Sequence, residues 1–297
     1  MRILLIINPR SGTMQAAKVL SDIIQMYSDA GHLTTVMMTS ARGDATEFVK
    51  KYHDIADLIV CSGGDGTYNE IMQGCLECGL DIPVGYIPSG STNDFAASVG
   101  LEKSILSAAE RTIKGTPRTL DVGNFNGRYF SYVASFGAFT STSYSVPQNL
   151  KNMLGHMAYV LQGMRDIVGI KSIKAKIICD EGTPNEQICE DEYIFGAICN
   201  STSFAGILKL DHFDVDMNDG LMEVLLVKTP RNLVELNDIV VNMMDGKLES
   251  DKIDFFSAQN IRVEIEPGTH WTLDGEYEEG ADTVEIKTVR SAVKLVV

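Results

Sequence analysis

Over the first 125 residues the apolar positions switch repeatedly between unbroken runs and helical spacing. Ile3–Ile7 is a continuous apolar run, the pattern of a strand buried on both faces. Beyond the polar stretch Asn8–Gly12, Val19, Ile23, Ile24 and Tyr27 recur at helical intervals and predict a helix over Ala16–Ala30. The same alternation predicts strands at Leu33–Met38, Leu58–Cys61 and Pro83–Ile87, and helices at Ala45–Tyr52, Tyr68–Cys78 and Ile105–Lys114. Such repetition predicts a mainly parallel sheet with helices on both faces, whose ligands gather at the carboxyl ends of the strands.

The rhythm then changes. Asn126-Gly127 in NFNGRYFSYVASFG separates two β-rich runs and predicts a hairpin. SIKAKIICD, YIFGAICN, LMEVLLV, IRVEIE and TVEIK are further strand candidates. Two helical patterns interrupt them: Leu150–Val168, with an apolar stripe through Met153, Leu154, Met157, Leu161 and Met164, and Leu233–Met244. The second half therefore reads as an antiparallel sheet domain, expected as a sandwich. The 297 residues divide into 1–125 and 126–289, with the last strand, about 290–297, able to return to the first domain.

Composition changes this picture little. Hydrophobic residues at 44% and charged residues at 22% are ordinary for a globular chain, and no apolar run reaches the ~18 residues of a membrane-spanning helix. MRILLIINPRSG reads as a first strand and not a signal peptide, so a cytoplasmic protein is expected. Net charge is −15, from 25 basic against 40 acidic residues, which argues against nucleic-acid binding. Cys61, Cys179 and Cys199 sit in apolar runs as core residues, and the lone Cys75-x-x-Cys78 lacks the second pair of a zinc site. The five histidines form no metal motif, and no nucleophile-elbow motif occurs.

Three loops carry candidate chemistry. LIVCSGGDGTYNE is strand, glycine turn and helix, and Thr67 with Glu70 has capping-box spacing that places the helix start at Thr67. Unpaired amides and the positive helix end would make an anion site there; a well-capped turn is the plainer alternative. NPRSG and PSGSTNDFA also follow strands and supply Gly, Ser, Thr and Asn donors. Three such loops at one sheet edge predict a site for nucleotide phosphates.

The series Asn8-Pro9-x-Ser11-Gly12, Gly63-Gly64-Asp65-Gly66-Thr67-x-Asn69-Glu70 and Pro88-x-Gly90-Ser91-x-Asn93-Asp94-Phe95-Ala96 resembles the diacylglycerol kinase catalytic-domain family in its soluble bacterial form. The resemblance continues through Leu120–Gly123, Asn218–Val224 and Leu273–Glu276, and so covers nearly the whole chain. It implies a three-layer α/β domain shaped like that of phosphofructokinases, plus a C-terminal antiparallel β-sandwich domain that helps to hold lipid. It implies ATP at the glycine turn, in a cleft between the domains, with the three motifs up to Asp94 as the nucleotide site. Ser91 stands where the family usually has threonine and keeps the hydroxyl. A structural magnesium carries over to Asp216, Asp219 and the Leu221 carbonyl, in a segment that on its own also reads as a polar loop.

Asp274-Gly275 in WTLDGEYEEG is first of all a hairpin signal. Phosphoryl transfer to an alcohol also needs a carboxylate to position the hydroxyl and accept its proton, and magnesium between the phosphates. The resemblance places the general base at Asp274, with Glu276 beside it and with Asp65 and Asp121 expected to face the same cleft. The expected activity is an ATP- and Mg2+-dependent lipid kinase acting on a glycerolipid hydroxyl, diacylglycerol foremost. A NAD kinase shares the fold and the G-G-D-G-T turn, although Asn69-Glu70 and the STNDFA run favour the lipid branch. A non-catalytic lipid or nucleotide sensor is the other alternative, against which Asp65, Asp274 and Glu276 stand intact. Lys151, Arg165, Lys171, Lys174 and Lys176 against Asp166 alone give a local balance of +4, a surface expected to dock on anionic membrane. A homodimer is the expected assembly.

Overall fold

The computed structural model describes residues 1–12, 14–137, 171–201, 203–204, 208–209, 215–244, 246–248 and 250–297. The helix expected over Leu150–Val168, with Lys151 and Arg165, lies outside the described residues. The chain divides into two compact units, Met1–Val122 with Arg290–Val297 and Gly123–Val289.

In chain order the first unit contains β1 (Arg2–Ile7), α1 (Gln15–Lys18), α2 (Leu20–Asp29), β2 (Leu33–Met38), α3 (Asp44–Tyr52), β3 (Leu58–Gly63), α4 (Asp65–Glu77), β4 (Val84–Pro88), α5 (Asp94–Ser98) and α6 (Ile105–Lys114). β5 (Pro117–Phe125) begins in it and ends in the second unit. β1 pairs in parallel with β2 and β3, β3 pairs in parallel with β4, and Leu295 of the C-terminal strand lies beside Val84. Ile3 to Ile7 are each at most 1% exposed, because the central strand of a parallel sheet is covered on both faces. On one face Ile3, Leu5, Val60 and Ile87 pack against Ile23 and Tyr27 of α2 and Ala108 and Ala109 of α6. Tyr27 keeps its hydroxyl satisfied there by a 2.7 Å hydrogen bond with Thr112 Oγ1. α4 begins at Asp65, two residues before the start read from the Thr67–Glu70 spacing. The short helix α5 carried no periodic signal in the sequence.

The second unit continues with β6 (Arg128–Phe130), β7 (Val133–Gly137), β8 (Ile173–Cys179), β9 (Gln187–Cys199), β10 (Ser203–Phe204), β11 (Leu208–Lys209), β12 (Met222–Lys228), α7 (Leu233–Met244), β13 (Ile253–Ala258), β14 (Asn260–Ile265), β15 (Trp271–Leu273), β16 (Glu276–Glu278) and β17 (Thr283–Val296). β9 belongs to two antiparallel layers. Its first half, Gln187–Tyr193, pairs with β8, which continues through β14 to β17. Its second half, Phe195–Cys199, lies between β7 and β12, with β15 and β16 beyond the one and β13 beyond the other. Ile177, Val263 and Val284 of one layer share a single core with Phe136, Val224 and Leu273 of the other, the arrangement of a sandwich. Trp271, fully buried, packs between Phe125 and Phe136 with ring centroids 5.0 and 4.8 Å away. α7 covers the other side of β9 and β12 through Leu236, Ile239 and Met243, while Val234 and Val241 stay exposed.

Local sequence explains the turns. Asn126 and Gly127 join β5 to β6 with φ of +48° and +97°, the positive pair that a two-residue hairpin turn demands. Asp274 and Gly275 do the same between β15 and β16, at +51° and +80°. The lysines of β8 alternate outward, but their cross-strand neighbours are acidic: Lys174 faces Glu192, and Lys176 lies between Glu190 and Glu264. Gly196 lies opposite Phe136, whose ring would stand 2.3 Å from any Cβ added there. Gly196→Ala is therefore expected to destabilise the fold by about 1–3 kcal/mol. Urea denaturation checks this, with a lower midpoint at unchanged slope as the expected outcome.

Candidate active site

Loops 8–12, 63–67 and 88–94 leave the carboxyl ends of β1, β3 and β4, three adjacent parallel strands, and they are tied to one another. The Asn8 amide donates to the Ser62 carbonyl at 2.8 Å, and the Ser89 amide donates to the Gly63 carbonyl at 2.7 Å. The Asn8 side-chain amide reaches Thr67 Oγ1 at 3.3 Å, while its Oδ1 accepts the Arg10 amide at 3.0 Å. Asn93, at φ +55°, closes the third loop by exchanging hydrogen bonds with both the amide and the carbonyl of Gly90. Close approach is what the glycines permit: a Cβ on Gly90 would lie 2.5 Å from Gly64 Cα, and one on Gly12 would lie 2.5 Å from the Ser89 carbonyl oxygen. Pro9 and the buried Ser11 sit within this cluster, with Gly66 and Asn69 on α4 and the exposed Ser91 at the tip of the third loop. The opening amides of α4 and the positive end of its dipole give the cluster its anion-binding character.

Two carboxylates belong to the same cluster. Asp65 accepts the Tyr86 hydroxyl at 3.1 Å on one oxygen and the Asp94 amide at 2.7 Å on the other, linking the second loop to the third. Tyr86 is held by stacking against Tyr68, whose other neighbour is Phe95, with centroid separations of 4.9 and 4.6 Å. Burial pushes the Asp94 carboxyl above its ordinary value. Glu70 is placed otherwise. Its carboxylate accepts the amides of Gly43 and Ala45 at 2.8 and 3.2 Å, capping α3 and not the start of its own helix. Asp121, 1% exposed, accepts the amide of Ser291, which has φ +46°, at 2.6 Å. Within the first unit its observed partner is thus the bent backbone of β17.

In the second unit Asp274 is 6% exposed, and its carboxylate gathers three backbone amides. Ser131 donates at 2.6 Å to Oδ2, and Tyr132 and Val133 donate at 3.0 and 3.1 Å to Oδ1. The Asp274 amide returns a 2.8 Å bond to the Val133 carbonyl. Glu276 makes an ion pair with Arg128 at 3.2 Å, and Arg128 also pairs with Glu278. Arg128 is a neighbour that sequence reasoning did not single out. His270 meets the Tyr277 hydroxyl at 3.0 Å, consistent with an exposed strand position.

Asp216 accepts the Asn218 amide at 3.1 Å, and Asp219 accepts the Leu221 amide at 2.8 Å. Among the described residues no three His, Cys, Asp or Glu are grouped to hold a metal. Two carboxylates and one carbonyl in this loop are hard oxygen donors of the kind magnesium takes when water completes its shell, so the residue chemistry fits that ion. Nearby, Glu223 opens β12 at 4% exposed, with Oε2 buried and unpartnered. Burial pushes its carboxyl up to about 8, and Asp219 adds to the shift.

A parallel α/β unit with glycine loops at its carboxyl edge, joined to a sandwich unit carrying a buried carboxylate, defines a nucleotide-dependent phosphotransferase of two domains. Residues 2–125 match the diacylglycerol kinase catalytic domain. A diacylglycerol kinase of Bacillus subtilis (strain 168) is 33% identical over 92% of this chain and 89% of its own length. One from Staphylococcus saprophyticus subsp. saprophyticus is 31% identical over 92% and 88%. Two solved structures from Bacillus anthracis str. Sterne share the fold across 99% of this chain and 96% of theirs. One is provisionally named a diacylglycerol kinase (TM-score 0.81, 23% identity), and the other is named one (TM-score 0.75, 22% identity). The chain belongs to the diacylglycerol kinase catalytic-domain family and is a lipid kinase. No helix among the described residues is long and apolar enough to cross a membrane.

Glu223 sets a pH signature. Its carboxyl ordinarily titrates near 4.5 but near 8 in the folded chain, so the unfolded state binds fewer protons between those values. The stability it contributes is complete below about 4.5 and is lost as pH rises towards about 8. Glu223→Gln is expected to gain in Tm relative to the native chain as pH rises from 5 to 8, measured in a chelator. A difference independent of pH would show that Glu223 is not protonated when folded.

Proposed function

We propose that the chain transfers the γ-phosphate of ATP to the free hydroxyl of diacylglycerol, giving phosphatidic acid. The observation that carries this reading is the convergence of three glycine loops at the ends of adjacent parallel strands, in a chain whose curated relatives are named diacylglycerol kinase. Loop amides and the α4 terminus hold the phosphates, Asn8 and Thr67 fix the first two loops together, and Asp65 and Asp94 carry negative charge beside them. Magnesium, when bound, neutralises charge on the phosphates; Asp65 and Asp94 are the carboxylates near the nucleotide, and Asp216, Asp219 and the Leu221 carbonyl would hold a second, structural ion.

Asp274 is assigned to the acceptor hydroxyl. Three amides fix the direction of its carboxylate, so the group meets a hydroxyl in one orientation and accepts its proton as the phosphoryl group arrives. The Arg128 pair orients Glu276, which supports this turn and does not itself receive the proton. The acceptor lies in a bilayer, so turnover takes place on a membrane surface.

The test is transfer of labelled phosphate from ATP with magnesium to mixed micelles of diacylglycerol, phosphatidylglycerol and ceramide, with NAD in a parallel tube. Label is expected in diacylglycerol. Asp274→Asn is expected to lower kcat by ~10²–10⁴-fold while ATP affinity stays unchanged. Label in NAD alone, or full turnover by Asp274→Asn, would overturn the assignment. Gly64→Val, which crowds Gly90 Cα, is expected to weaken ATP binding in the same preparation; unchanged affinity would remove the phosphate site from these loops.

A further inference from the structure

Ser131 and Tyr132, which supply two of the three amides that hold Asp274, lie between β6 and β7 and outside any strand. Ladder hydrogen bonds therefore do not place them. Tyr132 is held from its carbonyl side by Asn200, whose backbone amide donates to it at 3.0 Å. Asn200 directly follows β9, is 1% exposed, and turns its side chain the other way: Nδ2 donates to the Met217 carbonyl at 3.3 Å. Met217 is 2% exposed and sits between Asp216 and Asp219, in the loop whose carboxylates bond to their own amides.

One buried residue thus joins two segments with no other hydrogen bond printed between them by regular pairing: the turn that grips Asp274 and the loop of Asp216 to Leu221. Its backbone serves the first and its side chain the second. We propose that Asn200 is a positioning residue, which sets the place of the Asp274 carboxylate by holding Ser131–Tyr132 in register with the 216–221 loop. This rests on the assignment of Asp274 to the acceptor hydroxyl. A polar residue wholly removed from water keeps both of its donors satisfied, so a shift of the 216–221 loop moves Asn200, and Asn200 moves Tyr132. Misplacing a reacting group by about 1 Å costs about 10²-fold in rate, so a small movement is enough to register in kcat.

The experiment uses the full chain with Asn200→Ala, and with Asn200→Asp as an isosteric second variant that lacks the Nδ2 donor but keeps the backbone amide. The 1H–15N resonances of Ser131, Tyr132 and Val133 are followed together with kcat and the nucleotide KM on diacylglycerol micelles. The expected result is displacement of these three resonances with a loss of about 10–100-fold in kcat and an unchanged nucleotide KM. A folded variant with lower Tm but native resonances and native kcat would overturn the proposal and leave Asn200 a structural residue. Failure of the Asp274 assignment shows separately: Asp274→Asn would then turn over normally, whatever the resonances do in the Asn200 variants.

Discussion

A buried carboxylate must be met by donors, and in the second unit that requirement organises a good part of the fold. Asp274 stands at 6% exposure with three amides on it, and the strands are arranged so that this can happen. β15 brings the residue to the end of β7, a positive φ turns its side chain back, and the unpaired stretch after β6 supplies amides that would otherwise need water. The hairpin and the functional group are one object. That arrangement suits phosphoryl transfer, in which little proton transfer has occurred at a loose transition state and the main demand is for a fixed acceptor. A carboxylate locked by amides gives direction before it gives basicity.

The first unit answers a different constraint, the close approach of three backbones. Gly64 and Gly90 touch where any side chain would collide, and Gly12 does so with Ser89. The sequence suggested that bare backbone was there for a ligand. In the structure it first lets the loops reach one another, and the convergence of amides that would meet phosphate follows from that packing. Asp65 contributes in the same way, because its carboxylate ties the Asp94 amide and the Tyr86 hydroxyl into the cluster.

What was legible in the sequence follows the range of the interaction responsible. Unbroken apolar runs in β1 and β3, the Asn126-Gly127 turn and the helix at Leu233–Met244 depend on neighbours within a few residues, and each lies where its pattern placed it. Glu70 has ideal spacing to cap its own helix, yet its carboxylate bonds to Gly43 and Ala45, because α3 packs alongside and its first amides are unpaired. Asp121 and Glu276 are close to Gly123 and Asp274 in sequence, but Ser291 and Arg128, distant along the chain, decide where their oxygens go. Glu223 was hidden in a strand that reads as apolar throughout, and only the covering of β12 on both faces shows that a carboxyl is sealed there.

Charge was the property least legible along the chain. Counted in sequence, Lys174 and Lys176 belong to a basic segment; counted across strands, they share a face with Glu190, Glu192 and Glu264. Two lysines against three glutamates leave that face at −1, and cross-strand neighbours lie about 5 Å apart. This is inside the ~8 Å screening length at physiological salt, so an approaching anionic surface meets the sum and not the lysines. Each basic residue near such a surface contributes about 1 kcal/mol only if its charge is uncompensated. Attraction to anionic lipid therefore does not come from this sheet face, and association with the membrane has to draw on another part of the chain or on the substrate itself.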